Sequence, residues 1–148
     1  MATRCRIADL SCEFKVNPIG IDEVNPRLSW KILDNRQGAS QTAWRVLAAS
    51  SRALLDEKPD LWDSGCVKGQ QSLDVEYKGK RLASRTRVWW KVKVWDLEGK
   101  ESGWSEPAFF ETGLLKKSDW QAEWIGRPST KSKEGEPCPY LRRQFKLG

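Results

Sequence analysis

The chain has 148 residues, with 26 Lys and Arg against 20 Asp and Glu, a formal net charge of +6 and no histidine. That length accommodates one domain of ordinary size plus a remainder. Basic and acidic residues alternate without long runs of one sign, so the pattern argues against a nucleic-acid-binding surface. Because no apolar run reaches the roughly 18 residues that a membrane span requires, we expect no membrane segment.

The cysteines and the missing histidine limit the chemistry further. Cys5, Cys12, Cys66 and Cys138 are widely spaced and form no CxxC pair. The sequence therefore predicts no metal site and no cofactor, and it excludes serine or cysteine nucleophiles activated by histidine. Residues 1–9 lack the apolar core of an export signal. We therefore expect a cytoplasmic protein with reduced thiols, or a periplasmic or secreted one if a signal peptide has been removed.

The first third of the chain predicts short strands separated by ordered loops. Residues 4–14 form an imperfectly alternating strand, typical of a sheet edge or a bulge. Two Asn-Pro dipeptides follow, each of which extends the chain and removes a backbone donor. In the next strand Leu28, Trp30 and Ile32 share one face, which indicates a sheet with one buried side.

The middle of the chain continues the same pattern. Residues 41–51 alternate with both faces apolar or mildly apolar, which predicts a central strand. Residues 51–58 contain good helix formers behind a possible Ser51 cap and are stopped by Pro59, so one or two helical turns are expected. Residues 61–65 and 71–77 predict two further short strands.

The most regular stretch is Arg85 to Thr112, which predicts a long β-hairpin. From Thr86 to Val94 the even positions are apolar except for the first, and the odd positions are Arg87, Trp89, Lys91 and Lys93. A charged turn with Gly99 then precedes a second strand that starts at Trp104. We therefore expect this hairpin to set the register of the sheet, with one face buried and one face basic and tryptophan-rich.

Together these elements predict an all-β fold, an antiparallel β-sandwich of about seven strands within residues 1–113. Residues 114–148 differ in character. After a short linker, alternation predicts strands at 120–126 and 140–147, separated by a polar, proline-containing loop at 127–139. Because two strands do not make a domain, this segment is expected to be the truncated start of a second β-domain.

Several motifs resemble a known enzyme family. They are NPIGIDEVNPRLSW, QTAWRVLAAS, DLWDSGCV, VWWKVKVWDLEGKESGWSEPAFFETGLL, DWQAEWIG and PYLRRQF. In this order they resemble the N-terminal region of bacterial α-L-rhamnosidases, inverting glycoside hydrolases with a downstream (α/α)6 catalytic barrel. The resemblance covers essentially the whole chain, and the combination of motifs is more specific than any single one.

The resemblance implies a fibronectin type III or immunoglobulin-like sandwich followed by the first strands of another β-sandwich. It also implies a parent enzyme that hydrolyses terminal α-L-rhamnosides, with catalytic carboxylates that have no counterpart in this chain. We therefore expect no catalytic residue here and an inactive fragment, whose partners are the remaining domains of the parent enzyme. A fibronectin-like interaction domain unrelated to glycosidases is the alternative, against which the last two motifs argue.

The acidic residues support the same expectation. Inverting hydrolysis needs two carboxyl groups about 6.5 to 9.5 Å apart across a cleft, one of them with a raised pKa. Most acids here lie in predicted turns, where solvent is expected to keep their pKa values ordinary; these include Asp22, Glu23, Asp34, Asp56, Glu57, Asp96, Glu98 and Glu101. Asp60 with Asp63, and Asp74 with Glu76, are pairs by spacing only.

The outer tryptophans leave three hypotheses open. Trp89, Trp95 and Trp104 could form a platform for rhamnose-containing glycans, because an indole face stacks on a pyranose. Alternatively, Lys and Arg side chains could cover these rings in cation–π contacts, or the face could dock against a neighbouring domain. Trp30, Trp44 and Trp90 lie at inward positions of their strands, where we expect core packing.

Overall fold

A computed structural model describes residues 5–126 and 140–146 of the chain. The strands are β1 (Arg6–Cys12), β2 (Ile19–Ile21), β3 (Arg27–Leu33), β4 (Gln41–Ala49), β5 (Trp62–Asp63), β6 (Val67–Lys68), β7 (Val75–Glu76), β8 (Arg87–Asp96), β9 (Glu101–Trp104) and β10 (Ala108–Thr112). The helix α1 (Arg52–Glu57) follows β4, and a 3₁₀ helix (Lys117–Asp119) follows β10. Neither has the length and apolar character that a membrane-crossing helix requires.

The strands form two sheets, which confirms the predicted all-β immunoglobulin-like fold. The small sheet has the order β1-β3-β7, and the large one has the order β2-β10-β8-β4-β5, with β6 also paired to β4 and β9 to β8. Every pairing is antiparallel except that of β2 with β10. There the chain passes from the small sheet to the edge of the large one and runs in the same direction as the last strand.

The core lies between the two sheets and combines aliphatic side chains with several large aromatic ones. The inward row of β8, which consists of Val88, Trp90, Val92 and Val94, is fully buried. Trp30 and Trp44 meet edge to face with ring centroids 5.8 Å apart, an arrangement that aromatic rings prefer. The inward facing predicted for Trp30, Trp44 and Trp90 is therefore confirmed.

The strand β4 is central, as its two apolar faces predicted. It pairs with β8 on one side and with β5 and β6 on the other. The helix α1 begins after Ser51, whose hydroxyl accepts a hydrogen bond from the backbone N–H of Leu54, so the predicted cap is also confirmed. The bulge expected in the first strand lies between Ala8 and Ser11.

The return arm of the hairpin differs from its prediction, because it divides into β9 and β10. Pro107 lacks an N–H and interrupts the ladder. Serine side chains replace the missing backbone acceptors: the N–H of Val92 donates to Ser105 Oγ, and that of Val94 donates to Ser102 Oγ, both at 3.1 Å. The strand predicted at 71–77 shrinks to two residues because Asp74 adopts a positive φ of 54°.

The strands predicted at 120–126 and 140–147 are absent from the residues described there, 120–126 and 140–146. A strand persists only when a neighbouring backbone satisfies its N–H and C=O groups, and no described strand pairs with either segment. Their large apolar side chains are accordingly exposed, including Trp124 at 94%. The predicted loop at 127–139 lies outside the described residues, and the boundary at 113 stays a prediction.

An ionic cluster fixes the hairpin turn, and it corrects one expectation. The Asp34 and Asp96 side chains are only 2% and 6% exposed, and Arg36 Nη2 donates to both, at 2.6 and 2.8 Å. Asp96 Oδ1 also accepts from the backbone N–H groups of Glu98 and Lys100, each at 2.9 Å. These two acids are therefore not the ordinary solvated carboxylates that their turn positions suggested.

This cluster makes the stability of the fold depend on acid pH. The hydrogen bonds from Arg36 lower the pKa of Asp34 to about 2 and also lower the pKa of Asp96. A carboxyl whose folded pKa lies below its unfolded value stabilises the fold above the unfolded pKa, about 3.9, and loses this contribution as the pH falls towards the folded pKa. Acid destabilisation between about pH 4 and pH 2 is therefore expected.

Arg36→Met should make that acid dependence shallower, since the carboxylates lose the partner that keeps their pKa values low. The measurement is the urea midpoint at neutral pH and at several points down to about pH 2. Arg81→Met, which removes an exposed guanidinium elsewhere, is the matched control and should keep the acid dependence of the unmodified chain. Equal acid sensitivity in the Arg36 variant and the unmodified chain would contradict the role given to this cluster.

Candidate functional site

The candidate site from the sequence is the outer face of β8 and β9, where the odd-numbered residues of the hairpin point. The structure places Trp95 and Trp104 together there, on either side of Lys93. The Lys93 ammonium lies 5.2 Å from the ring centroid of Trp95 and 5.0 Å from that of Trp104. Lys91 adds a third contact, 5.1 Å from the Trp104 ring.

Acidic side chains hold these two lysines in place. Lys91 Nζ contacts Asp56 Oδ1 at 2.6 Å, and Lys93 Nζ contacts Glu101 Oε2 at 2.8 Å. The hydrogen bond from Lys91 lowers the pKa of Asp56. The cations are therefore fixed over the indole rings at distances typical of cation–π interactions. For Trp95 and Trp104, this arrangement corresponds to the second of the three hypotheses, in which cationic side chains cover the indole rings.

Trp89, the third candidate, belongs to a different environment. It lies six residues before Trp95 on the same strand, roughly 20 Å away at about 3.3 Å per residue, so the two rings cannot contact one sugar. Its ring centroid is 5.2 Å from that of Phe109. It also packs against the buried Leu47, Ala49 and Leu55, where α1 covers the sheet. Trp89 thus belongs to a small second hydrophobic cluster, between α1 and the outer face of the large sheet.

Of the three, Trp104 offers the most surface to a ligand, with 38% of the residue exposed. Trp89 and Trp95 are half-buried. The face also carries an exposed pair between Arg45 and Asp63, joined at 2.6 Å. The charged side chains of the outer face are therefore paired with one another, and the Trp104 ring is the one that stays partly exposed.

The described residues hold no catalytic constellation of the kind that glycoside hydrolysis needs. Within them, each carboxyl group whose pKa departs clearly from its ordinary value is shifted downwards; these groups are Glu13, Asp34, Asp56, Asp60, Asp63 and Asp96. Over residues 5–126 and 140–146, His, Cys, Asp and Glu side chains also form no group of three that could hold a metal ion.

The two buried cysteine thiols, Cys5 and Cys12, give no reactive site either. Cys5, Cys12 and Cys66 are free, whereas Cys138 lies outside the described residues. Burial raises the pKa of Cys12 to about 12 and also raises that of Cys5. Because the thiolate is the reactive form, both buried thiols are poor nucleophiles and poor metal ligands at neutral pH.

Two features elsewhere in the fold were missed by the sequence-based predictions. The ionic cluster around Arg36 joins turns 60 residues apart, as the separation of Arg36 and Asp96 shows. A groove containing Trp44 and Trp62 forms where β5 and β6 approach β7. Neither could be found from periodicity, because each depends on which strands are neighbours rather than on a local pattern.

The chain is similar in sequence and in fold to parts of known proteins. Residues 7–116 match the family described as Rha78A-like, N-terminal immunoglobulin domain. An α-L-rhamnosidase of Formosa agariphila is 43% identical over 136 residues, which cover 90% of this chain and 14% of that protein. The chain thus spans only about one-seventh of that relative's length.

Solved structures give the same result. In the crystal structure of Streptomyces avermitilis α-L-rhamnosidase complexed with L-rhamnose, the matching region is 44% identical with a TM-score of 0.80, and it covers 84% of this chain and 12% of that one. The α-L-rhamnosidase of Dictyoglumus thermophilum matches with 37% identity and a TM-score of 0.78 over 83% of this chain and 14% of that one. The chain belongs to the family of Rha78A-like N-terminal immunoglobulin domains, and the regions that it matches are N-terminal parts of α-L-rhamnosidases.

Proposed function

We propose that this chain is a non-catalytic N-terminal module of an α-L-rhamnosidase, and that it packs on and supports the other domains of that enzyme. The parent enzyme would hydrolyse terminal α-L-rhamnosides by inversion, in a catalytic domain outside this chain. The observation that carries the non-catalytic role is that each of the six described carboxyl groups with a clearly shifted pKa is shifted downwards. A general acid for glycoside hydrolysis needs the opposite shift.

A rigid apolar loop between β1 and β2 supports the packing role. Phe14, Val16 and Ile19 are 66%, 73% and 68% exposed. Glu13, Phe14 and Asn17 have positive φ values of 48°, 62° and 49°, a conformation that non-glycine residues rarely adopt. Because strained backbone persists where a surface has a role to perform, this presentation of apolar side chains favours an interface with another domain.

The loop is also anchored to both sheets, to the large one through Phe109 and to the small one through Arg27. Asn17 Oδ1 accepts a hydrogen bond from the N–H of Phe109 at 2.9 Å, and Arg27 pairs with Glu13 at 2.6 Å. The Arg27 guanidinium lies 5.0 Å from the centre of the Phe14 ring. An interface that is already ordered binds its partner with less entropic cost than a mobile loop would.

The catalytic part of the proposal is tested with a chromogenic aryl α-L-rhamnoside. The isolated chain should give no turnover above the uncatalysed rate, whereas the Streptomyces avermitilis enzyme serves as the positive control. Turnover by the purified chain that persists through repeated purification would contradict the non-catalytic role.

The packing part is tested by complementation. The chain should raise the thermal midpoint of the Streptomyces avermitilis enzyme from which the matching N-terminal region has been removed, because binding to the folded state stabilises it. Val16→Asp should abolish this effect, whereas Leu73→Asp, at an exposed position on the loop before β7, should not. A loss of the effect in both variants, or in neither, would place the interface elsewhere.

A carbohydrate-binding module using Trp89, Trp95 or Trp104 is the second candidate, and the partly open ring of Trp104 favours it. The lysines that cover Trp95 and Trp104 argue for a weaker platform than three free indoles would give. On this second candidate alone, titration with rhamnose-containing glycans, followed by tryptophan fluorescence, would give a saturable change that Trp104→Ala removes.

For the compartment, we propose a cytoplasmic location, or a periplasmic or secreted one if a signal peptide has been removed.

A further inference from the structure

A second aromatic surface lies at the open side of the sandwich, away from the lysine-covered rings. Here the edge strands β5 and β6 of the large sheet approach β7 of the small sheet and leave a groove of about 490 Å³. Its apolar lining comes from Trp44, Trp62, Val67 and Val75. Trp44 and Val75 are buried, whereas Trp62 is half-buried and is thus accessible at the groove.

The polar groups of the groove remain available to a ligand. Asp63 is already bound to Arg45 through two hydrogen bonds, at 2.9 and 2.6 Å. By contrast, the carboxylates of Asp74 and Glu76 form no salt bridge with any residue in the described part of the chain. Lys78 supplies an ammonium donor at the same groove. Acceptors and a donor therefore surround an aromatic lining.

The Trp44 side chain adds a further donor. The residue is only 7% exposed, and no hydrogen bond from its Nε1 to another described residue is found. Among the described residues, Trp90 Nε1 is the side-chain polar atom that has neither solvent access nor a hydrogen-bond partner. Trp44 Nε1 also has no partner but is not in this class, so it keeps some access to solvent. An almost buried N–H without a protein acceptor is a group that a bound hydroxyl oxygen can satisfy.

The groove is held in a fixed shape by its own backbone. The side chain of Gln71 donates to the carbonyl oxygens of Leu73 and Asp74, at 3.1 and 3.2 Å. The N–H of Asp74 donates to Ser29 Oγ at 3.0 Å, which ties this segment to the small sheet. Asp74 also has a positive φ of 54°, a strained conformation that presents its carboxylate at the groove.

We propose that this groove binds one ring of a neutral saccharide. An indole ring offers a flat apolar surface to the C–H face of a pyranose, while carboxylates accept hydrogen bonds from sugar hydroxyls and the Lys78 and Trp44 donors serve hydroxyl oxygens. An anionic ligand fits less well, because the two unpaired carboxylates of Asp74 and Glu76 outnumber the single ammonium of Lys78. The site is separate from the outer face of β8 and β9 and does not depend on the packing role proposed for the module.

The test is a titration of the ¹⁵N-labelled chain with L-rhamnose, methyl α-L-rhamnopyranoside and D-glucose, each up to about 0.1 M, a range that covers millimolar dissociation constants. The indole N–H signals of Trp44 and Trp62 should shift and saturate with at least one of these sugars. Those of Trp89, Trp95 and Trp104 should stay unchanged. Acetate, a small anion, should shift none of them, because the carboxylates of Asp74 and Glu76 repel it.

Paired variants then test the polar contacts. The double variant Asp74→Asn, Glu76→Gln should weaken the titration about tenfold or more, because hydrogen bonds to charged groups are among the stronger ones. Asparagine tolerates positive φ, so the fold should be preserved. The exposed pair Asp22→Asn, Glu23→Gln is the matched control and should leave binding unchanged.

Three results would overturn the proposal. They are the absence of any saturable shift at Trp44 and Trp62 with all three sugars, shifts confined to Trp89, Trp95 or Trp104, and unchanged binding in the Asp74 and Glu76 double variant. The second of these would favour the outer face as the sugar site instead. None of the three would bear on the aryl rhamnoside assay or on the complementation experiment, so the two proposals fail independently.

Discussion

Trp90→Ala should lower the free energy of unfolding by about 3 to 5 kcal/mol, the range for truncating a buried aromatic side chain. Trp90 is fully buried at the centre of the longest strand. Its register partners on the two neighbouring strands are Ala48 and Ala108. One large ring thus fills a row whose other members are small, and those alanines cannot expand to fill the space that it leaves.

The comparison of Trp90→Ala with Trp90→Phe makes this prediction sharper. Trp90 Nε1 is buried and has no hydrogen-bond partner in the described part of the structure. Phenylalanine keeps most of the ring volume and also removes that unsatisfied donor, so its cost should be less than half that of alanine. Urea denaturation followed by circular dichroism gives both values.

Trp124→Ala is the control for the loss of an indole ring as such. Trp124 is 94% exposed, and its truncation should change the free energy of unfolding by no more than about 0.5 kcal/mol. If Trp90→Ala kept the urea midpoint of the unmodified chain, the inward facing of the even positions in β8 would be wrong. The assignment of the sandwich core would then have to change with it.

This inward facing is the part of the fold that the sequence predicts best. Apolar and polar residues alternate over nine positions of this strand, and only one orientation of the strand buries the apolar set. A slip by one residue would bury Arg87 and expose Trp90. The Ser51 cap is equally local, because its hydroxyl bonds a backbone N–H only three residues away. Such features need no knowledge of which strands are neighbours.

The incorrect predictions have the opposite character. Residues 120–126 have a good alternating pattern, but a pattern does not supply the neighbouring backbone that a strand requires. Likewise, Asp34 lies in a polar turn that reads as solvated, and only the folded chain brings Arg36 and Asp96 together around it. The candidate site follows the same rule: the identity of the outer tryptophans could be predicted, but not the lysines that lie over them.

A polar side chain in the core shows how the buried and functional parts of this domain are linked. Gln41 is 1% exposed. Its Oε1 accepts a hydrogen bond from Trp30 Nε1 at 3.0 Å, and its Nε2 donates to the carbonyl oxygen of Gln71 at 2.7 Å. One amide therefore satisfies a core indole and fixes the residue that shapes the proposed saccharide groove.

Gln41→Leu should lower the free energy of unfolding by about 2 to 4 kcal/mol, because it leaves a buried N–H and a carbonyl without partners, each at about 1 to 3 kcal/mol. Urea denaturation measures the loss. Combining it with Trp30→Phe should cost less than the sum of the two single changes, with a coupling of about 1 kcal/mol, since the second change removes the orphaned donor. Strict additivity of the two free-energy changes would contradict the hydrogen bond.

In the folded fraction, Gln41→Leu should also weaken the sugar-induced shift at Trp62, because the backbone at Gln71 would no longer be held. Thr42→Val, at the next and exposed position of the same strand, should leave that shift unchanged.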